Sequence, residues 1–291
     1  MGTKGLILAG GKGSRLFPMT SVFSKQLQPV YDKPMIFYPL STLMLGGIQD
    51  ILIISTPEDI PNFKKLLGDG SQWGINLNYI IQKHPGGLPQ AFILGEDFIG
   101  ESQACLILGD NVFYGKLDFF RNGLKNNTGG TIFAYRVDNP SEYGVVEFDK
   151  SNVVVSIEEK PLAPKSNYAV PGLYIFDKRV SQFSKDLKPS SRGEVEITDL
   201  QKKYLEVSDL RVEIIGRGVA WLDTGTPDSL LDAANFIHAV EKRQGTKIAC
   251  LEEIAFLMKF INLDKLIYNV EKLPNSNYKS YCLKIIGEYS G

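Results

Sequence analysis

A surplus of either charge is missing from this chain of 291 residues, in which 32 Lys and Arg face 33 Asp and Glu, for a formal net charge of −1. Binding of nucleic acid through bulk charge requires a net basic face, so we expect no nucleic-acid partner. No apolar run approaches the roughly 18 residues of a membrane-spanning helix, and the N-terminus shows no signal-peptide pattern. We therefore expect no membrane partner, and basic groups that matter must act locally.

Cysteine and histidine are also scarce. Cys105, Cys250 and Cys282 are odd in number, far apart and without CxxC spacing, a pattern that fits free thiols in a reducing cytoplasm. The two histidines are His84, in a loop, and His238, in a helical segment. We expect neither histidine to carry the chemistry.

Short apolar runs alternate with segments of helical periodicity in the first part of the chain. Each run is almost wholly apolar, which is typical of parallel strands covered on both faces. The predicted strands are residues 5–10, 50–56, 77–82 and 104–110, and the predicted helices are residues 35–47, 58–70 and 88–100. This order predicts an α/β fold with a Rossmann-like, open, mainly parallel sheet, in which ligands bind beyond the carboxyl ends of the strands.

The second part of the chain has a different sequence pattern. From about residue 130 strand patterns dominate, with a hairpin turn at residues 149–152. A long helix follows, with Thr226 as its cap and Pro227 at its first position. We therefore predict one domain over residues 1–245, with a β-rich part at about 131–225, and a helical C-terminal segment over residues 246–291.

A glycine-rich turn follows the first predicted strand, in the stretch LILAGGKGSRLFPMT. It is not a Walker A loop, because no GK[ST] closes it, and it is not the GxGxxG fingerprint, because Leu16 stands at the third glycine. A turn built on Gly10, Gly11 and Gly13 can present backbone N–H groups to a phosphate while Arg15 binds another oxygen. A plain tight turn with a solvated arginine explains the loop alone equally well.

The loop is one of many segments that resemble the sugar nucleotidyltransferase family. The likeness runs from residue 5 to about 260, in one order, through LAGGKGSRLFPMT, SKQLQPVYDKPMIFYPLSTLMLGGI, LLGDGSQWGI, QAFILGEDFIG, LILGDNVFYG, YGVVEFD, SIEEKPLAPKSNYAVPGLYIFD, GEVEITD and AWLDTGTPDSLL. The resemblance implies attack of a sugar 1-phosphate on the α-phosphate of a nucleoside triphosphate, with release of pyrophosphate.

The narrower likeness is to family members that use dTTP and glucose 1-phosphate. It implies a dTDP-glucose product that feeds rhamnose-type deoxysugar synthesis. It also implies that the nucleotide binds to residues of about 1–130 and that the sugar binds to the β-rich part.

The resemblance implies where the nucleotide lies. Arg15 and Lys25 would neutralise the triphosphate and act with Asp110 as catalytic residues, in a reaction that depends on electrostatics and needs no enzyme nucleophile. The amide of Gln82 suits the imide edge of thymine or uracil, and Gly87 would add a backbone contact. The implied nucleotide-binding set is Gly10, Gly11, Gly13, Ser14, Arg15, Lys25, Gln26, Gln82, Gly87 and Asp110.

Two aspartates are the predicted metal ligands. Asp110 closes an apolar strand and Asp223 follows VAWL. A capping role explains Asp223 poorly, because Thr226 and Pro227 already begin the next helix. The resemblance implies that Asp110 and Asp223 hold Mg²⁺, a hard cation that takes oxygen ligands.

The sugar side is predicted around NVVVSIEEKP. With a period of two, Glu159 shares the apolar face of Val155 and Ile157, where a carboxylate needs partners such as sugar hydroxyls. The resemblance assigns Glu159 to glucose and Lys160 to the sugar phosphate, although strict alternation turns Lys160 away unless Pro161 ends the strand. The implied sugar-binding set is Asn111, Tyr143, Gly144, Glu159, Lys160 and Val170.

Three positions depart from the family pattern, and they leave alternatives open. Ser14 stands for the usual Thr, Pro89 for Ala, and Pro171 for Thr; Pro171 lacks a backbone donor, which leaves the sugar preference open. The alternatives are the same reaction with UTP or another hexose 1-phosphate, and a non-catalytic nucleotide-sugar sensor, which would not need the metal pair. The resemblance further implies a homotetramer with feedback inhibition by dTDP-rhamnose at a second site, with the C-terminal segment as a candidate interface.

Overall fold

Strands and helices alternate through the N-terminal part of the protein, as the apolar runs predict. The structure is a computed structural model that describes residues 2–11, 13–190 and 193–290. The strands are β1 (Thr3–Leu8), β2 (Pro29–Val30), β3 (Lys33–Pro34), β4 (Asp50–Ser55), β5 (Asn76–Ile81), β6 (Gln103–Leu108), β7 (Asn111–Tyr114), β8 (Gly130–Arg136), β9 (Gly144–Phe148), β10 (Val154–Glu159), β11 (Tyr168–Ala169), β12 (Leu173–Phe176), β13 (Leu210–Ile214) and β14 (Ala220–Asp223). The helices are α1 (Phe37–Leu45), α2 (Ile60–Leu67), α3 (Gln90–Leu94), α4 (Glu96–Ile99), α5 (Asp118–Asn126), α6 (Val180–Lys185), α7 (Ile197–Glu206), α8 (Pro227–Gln244), α9 (Leu251–Leu257), α10 (Leu263–Glu271) and α11 (Asn277–Tyr289).

Parallel strands form the part of the main sheet that carries the glycine loop. They lie in the order β5-β4-β1-β6, with Gly5 of β1 opposite Ile51 on one side and Cys105 on the other. Because these strands are parallel, their carboxyl ends lie at one edge of the sheet. The predicted α/β class and the parallel arrangement of these strands are confirmed.

Beyond β6 the same ten-stranded sheet becomes mainly antiparallel. Strand β12 is antiparallel to both β6 and β8, and the order continues through β11 and β9 to β10, while β13 lies parallel to β8. The predicted hairpin joins β9 to β10, and the Asp149 carboxylate closes it by accepting from the amides of Ser151 at 2.8 Å and Val153 at 2.9 Å. The division near residue 130 falls within one continuous sheet and stays a prediction.

Both faces of the main sheet are buried. Leu6 and Ile7 are neighbours on β1, both at 0% exposure, and each joins a different apolar cluster. This explains why the strands read as continuous apolar runs. The C-terminal helices α9 to α11 pack on the Ile7 side with α1 and Trp73. Among the described helices, none has both the length and the apolar character needed to cross a bilayer.

A two-stranded sheet of β7 and β14, which the sequence did not predict, brings the acidic residues together. Its antiparallel register places Asp223 opposite Asn111, the residue after the other predicted metal ligand. Helix α8 begins directly after β14, and Thr226 caps it as predicted: its Oγ1 accepts from the Ser229 amide at 3.2 Å, and Ser229 Oγ accepts from the Thr226 amide at 3.0 Å. The capped start of α8 therefore anchors the strand end that carries Asp223.

Candidate active site

A polar cavity of about 210 Å³ lies at the carboxyl end of β6. Charged and amide side chains that line it are Arg15, Asp110, Asn111, Glu142, Glu159, Lys160, Gln201 and Asp223. Tyr143, Gly144 and Val170 also line it. The structure therefore brings residues that the resemblance assigned to phosphate, metal and sugar into one site.

Asp110 is held as an anion at the end of β6. It is 9% exposed; its Oδ2 accepts from Lys25 Nζ, and its Oδ1 accepts from Asn111 Nδ2 at 3.0 Å. Burial by itself raises the pKa of the Asp110 carboxyl, but the Lys25 charge and these hydrogen bonds hold that pKa below its ordinary value. Lys25, on the short turn Lys25–Leu27, is therefore its counter-charge.

Asp223 has the opposite electrostatic character. Burial raises the pKa of the Asp223 carboxyl, the charge of Asp110 raises it further, and Lys25 and Arg15 oppose both effects. The two carboxylates thus share a poorly solvated space, which suits a divalent cation with oxygen ligands. Gly225 keeps that space open, because a Cβ there would lie 2.8 Å from Arg15 Nη2 and 3.0 Å from Asp223 Oδ1.

Backbone conformation explains one of the glycines after β1, and close packing explains another. Gly13 has a φ of 58°, in the left-handed region that favours glycine. Gly10 lies against the predicted base-binding residue, since a Cβ on Gly10 would be 2.2 Å from Gln82 Oε1. Gly11 and Ser14 are exposed, and a Cβ on Gly11 would meet nothing within 4 Å. The loop is therefore packed at Gly10 and open at Gly11 and Ser14.

Gln82 and Gly87 are not among the described residues that line the cavity. Gln82 is 4% exposed, and its Nε2 donates to Gln90 Oε1 at 2.7 Å. The same oxygen accepts from the Gly86 amide at 2.8 Å, which fixes the loop after β5. Gly87 has a φ of 97°, and a Cβ there would lie 2.0 Å from the Val195 carbonyl oxygen. Backbone packing thus requires glycine at this position.

Gln26 lies against Gly109, the residue after the end of β6. It is 2% exposed, and its Oε1 has no hydrogen-bond partner in the described part of the chain. A Cβ on Gly109 would lie 2.7 Å from Gln26 Cγ, so the glycine makes this close contact possible.

A left-handed residue brings Lys160 into the cavity. Strand β10 ends at Glu159, and Lys160 has a φ of 43° with its amide donating to the Tyr143 carbonyl at 3.0 Å. Because this turn breaks the strand alternation, Lys160 and Glu159 line the same cavity. The Val170 amide donates to the Gly144 carbonyl at 2.8 Å, so this donor is already engaged within the protein.

The sequence did not indicate Trp221, which shapes the wall of the cavity. Its Nε1 donates to Asn111 Oδ1 at 2.7 Å, and the Gly172 amide donates to the same oxygen at 3.0 Å. The ring of Tyr143 meets Trp221 edge-on, with centroids 5.1 Å apart. The amide oxygen of Asn111 is therefore held by protein donors.

Helix α7 adds residues that the sequence did not indicate either. Thr198 and Gln201 line the cavity and are buried, at 2% and 0% exposure. The available signal was their spacing, because they lie beside Ile197, Leu200 and Tyr204 on the buried face of an amphipathic helix. Polar side chains on such a face need partners.

Comparison with known proteins gives the family. The nucleotidyl transferase family model matches residues 4–240. A glucose-1-phosphate thymidylyltransferase of Neisseria meningitidis is 53% identical over 97% of this chain and 99% of the relative, and one of Mycobacterium tuberculosis is 52% identical over 97% and 99%.

Two solved structures share this fold. A Bacillus anthracis protein, provisionally assigned as a glucose-1-phosphate thymidylyltransferase and solved with sucrose, is 40% identical, with a TM-score of 0.75 over 80% of this chain and 94% of its own. A UDP-glucose pyrophosphorylase solved with UDP-glucose, at 24% identity, shares the fold with a TM-score of 0.73 over 84% of this chain and 100% of its own. The chain therefore belongs to the nucleotidyl transferase family, among the glucose-1-phosphate thymidylyltransferases.

Proposed function

We propose that this enzyme transfers a thymidylyl group from dTTP to glucose 1-phosphate, giving dTDP-glucose and pyrophosphate. The observation that carries the proposal is the meeting of Arg15, Asp110 and Asp223 at one polar cavity, with Lys25 paired to Asp110. The activity in the name of the 53% identical relative supports the choice of substrates.

The reaction is a single displacement at phosphorus. An oxygen of the sugar phosphate attacks the α-phosphorus of dTTP, the bond from that phosphorus to the bridging oxygen breaks, and pyrophosphate leaves with the electron pair. Both reactants are polyanions, so the protein must offset their repulsion and hold the attacking oxygen in line. We assign this charge offset to Arg15 and Lys25. No protein group forms a covalent intermediate.

We propose Mg²⁺ as the cofactor, held by Asp110 and Asp223. Enzymes of this family generally use a divalent metal ion, and the two carboxylates supply the oxygen ligands that Mg²⁺ prefers. When bound, the cation would offset negative charge on the α-phosphate. The raised pKa of Asp223 supports this assignment, because burial and the nearby charge of Asp110 both disfavour its anionic form, which a bound cation would stabilise.

The remaining residues are assigned to recognition. We propose that Gln82, oriented by Gln90, reads the imide edge of thymine, and that Gly87 contacts the base through its backbone. Glu159 binds the glucose, and Lys160 binds its phosphate. Loop and backbone contacts to the nucleotide come from Gly10, Gly11, Gly13, Ser14 and Gln26, and further contacts to the sugar come from Asn111, Tyr143, Gly144 and Val170.

A substrate panel tests the activity. Pyrophosphate release is measured with dTTP, UTP, ATP and CTP, each combined with glucose 1-phosphate, galactose 1-phosphate and mannose 1-phosphate. We expect the highest kcat/KM for dTTP with glucose 1-phosphate, and inversion at phosphorus with a chiral α-thio dTTP. Binding of dTTP without pyrophosphate release would instead indicate a nucleotide-sugar sensor, and a higher kcat/KM with UTP would replace the proposed nucleotide.

We further propose a cytoplasmic homotetramer that dTDP-rhamnose inhibits at a second site. Exposed apolar side chains on the C-terminal helices support an interface there: Leu257 is 50% exposed, Leu283 48% and Tyr289 51%. All three cysteines are free thiols, which suits a reducing compartment. Light scattering should give four copies, and inhibition by dTDP-rhamnose should persist at saturating dTTP; a monomer, or inhibition abolished by dTTP, would contradict this.

A further inference from the structure

The side-chain amide of Gln201 is fully buried. It lies on α7 at 0% exposure, and neither its Oε1 nor its Nε2 has a hydrogen-bond partner among the described residues. The Oγ1 of Thr198, one helical turn earlier, is likewise without a partner in that part of the chain. Both residues line the cavity that holds Glu159.

Helix α7 faces the strands that form the sugar side of this cavity. A Cβ built on Gly144 of β9 would lie 3.3 Å from Thr198 Cγ2 and 3.6 Å from Glu159 Oε2. The helix and the two strands therefore meet around one small space, and Gln201 follows Thr198 by three residues on the same helix face.

The buried amide of Gln201 lowers the stability of the free protein. A buried polar group left without a hydrogen bond destabilises a fold by about 1–3 kcal/mol. Its neighbours on the helix, Leu200 and Tyr204, are fully buried, so an apolar side chain at 201 would satisfy the core equally well. A buried glutamine at this position is explained if a bound ligand completes the hydrogen bonds of its amide.

We infer that Gln201 is a specificity-determining residue that reads a ring hydroxyl of the hexose 1-phosphate, directly or through one ordered water. A hydroxyl both donates and accepts, and the Gln201 amide offers one acceptor and one donor side. A site built in this way rejects a sugar that lacks the hydroxyl, because the buried amide then stays without a partner. The inference rests on the proposed function, since it names how that same site selects its sugar.

The test is Gln201→Met, which keeps the side-chain length and removes the amide. Calorimetric affinities and kcat/KM are measured for glucose 1-phosphate and its 2-, 3-, 4- and 6-deoxy analogues. We expect the wild type to reject at least one analogue by about 100-fold or more. Gln201→Met should lose at least about tenfold in affinity for glucose 1-phosphate while keeping its affinity for that analogue, with an unchanged KM for dTTP.

Two further readouts separate this role from a structural one. The melting temperature of the free variant should stay equal or rise, because the variant no longer buries an amide that has no hydrogen-bond partner among the described residues. The control Gln182→Met removes an exposed amide on α6. It should leave the ratios of affinity and of kcat/KM between glucose 1-phosphate and its deoxy analogues unchanged. The inference is overturned if Gln201→Met still discriminates between glucose 1-phosphate and its deoxy analogues as the wild type does. It is also overturned if the variant loses affinity equally for every sugar. If the wild type releases no pyrophosphate, the proposed function is overturned instead. The ratios of calorimetric affinity between glucose 1-phosphate and its deoxy analogues still decide the role of Gln201.

Discussion

The ammonium of Lys25 donates to the carboxylate of Asp110, a residue 85 positions later in the chain, and the side chains are only 13% and 12% exposed. This ion pair ties the segment after the glycine loop to the end of β6. It also keeps a cation and an anion ready in the free protein at the place where we propose that triphosphate and metal bind. Substrate phosphates would therefore compete with Asp110 for Lys25.

Lys25→Met should weaken both the fold and the reaction. The change leaves the buried Asp110 carboxylate without its counter-charge, which we expect to destabilise the protein by about 3 kcal/mol. It also removes one cation from the proposed triphosphate site, which should lower kcat by about 100-fold or more. Urea unfolding and steady-state kinetics at neutral pH measure the two effects.

The surface pair Lys4–Asp50 supplies the matched control. Its Nζ–Oδ2 distance is 2.9 Å, with side chains 27% and 41% exposed. Lys4→Met should change the free energy of unfolding by less than about 1 kcal/mol, because solvent screens an exposed pair, and it should leave kcat unchanged. Equal losses in stability for the two variants would contradict the importance of the Lys25–Asp110 pair.

Asp223→Asn should stabilise the metal-free protein at neutral pH while lowering its activity by about 100-fold or more. The folded state raises the pKa of Asp223 above its ordinary value of 3.8. Such a group contributes stability below its unfolded pKa and loses that contribution as the pH rises through its folded pKa. Each unit of elevation corresponds to about 1.4 kcal/mol, so the neutral Asn removes a penalty that Asp223 carries at pH 7.

The pH dependence of unfolding, measured with a chelator present, checks the sign. The stability gain of Asp223→Asn over the wild type should shrink as the pH falls through the folded-state pKa of Asp223, which lies above 3.8, and should be absent at lower pH, where the carboxyl is protonated in both states. Asp110→Asn is the comparison: it should destabilise the protein, because buried Lys25 loses its counter-charge. If both substitutions changed stability in the same direction, the opposite electrostatic roles of the two aspartates would be wrong.

The sequence predicted the location of the site better than its internal contacts. Parallel apolar strands place their carboxyl ends at one edge, and this topology pointed to the glycine loop, whereas the role of Asp110 came from the family resemblance. The approach of Asp223 to Asp110 depends on the pairing of β7 with β14, two short strands separated by a long stretch of chain. No local pattern encodes a pairing of this kind. The placement of Lys160 was likewise open from the sequence, because it depends on a left-handed φ of 43° that ends strand alternation.

Helix boundaries also depended on tertiary packing. The predicted helix over residues 88–100 divides at Gly95 into α3 and α4. A Cβ at Gly95 would lie 3.0 Å from both the Ala91 carbonyl oxygen and Leu6 Cδ2, so this glycine serves the approach of the helix to β1. Gln201 escaped notice for a related reason. Glutamine is common on exposed helix faces, and only the assembled fold shows that this one is buried.

Gly87→Ala should damage both the fold and nucleotide binding. Gly87 has a φ of 97°, and the added Cβ would lie 2.0 Å from the Val195 carbonyl oxygen, so the backbone must shift. Strain of this kind destabilises a protein by about 1–3 kcal/mol. We expect kcat/KM for dTTP to fall by about tenfold, because the loop that follows Gln82 moves.

Gly216→Ala provides the control for this prediction. Gly216 is exposed, and a Cβ there would meet nothing within 4 Å. We expect its free energy of unfolding to stay within about 0.5 kcal/mol of the wild type. Thermal unfolding and initial rates at varied dTTP compare the two variants, and wild-type behaviour of Gly87→Ala would show that the contact with Val195 is not a constraint.

Gln90→Leu should weaken recognition of the base and leave recognition of the sugar intact. Gln90 Oε1 accepts from both Gln82 Nε2 at 2.7 Å and the Gly86 amide at 2.8 Å, so its loss frees the Gln82 side chain to rotate. A misplaced reading group loses preorganisation, and we expect KM for dTTP to rise by about tenfold while KM for glucose 1-phosphate stays constant. The exposed Gln49, whose Nε2 donates to the Gly74 carbonyl at 2.8 Å, gives the control Gln49→Leu, which should change neither constant. A parallel rise of both KM values in Gln90→Leu would show that Gln90 supports the whole site and does not position Gln82 in particular.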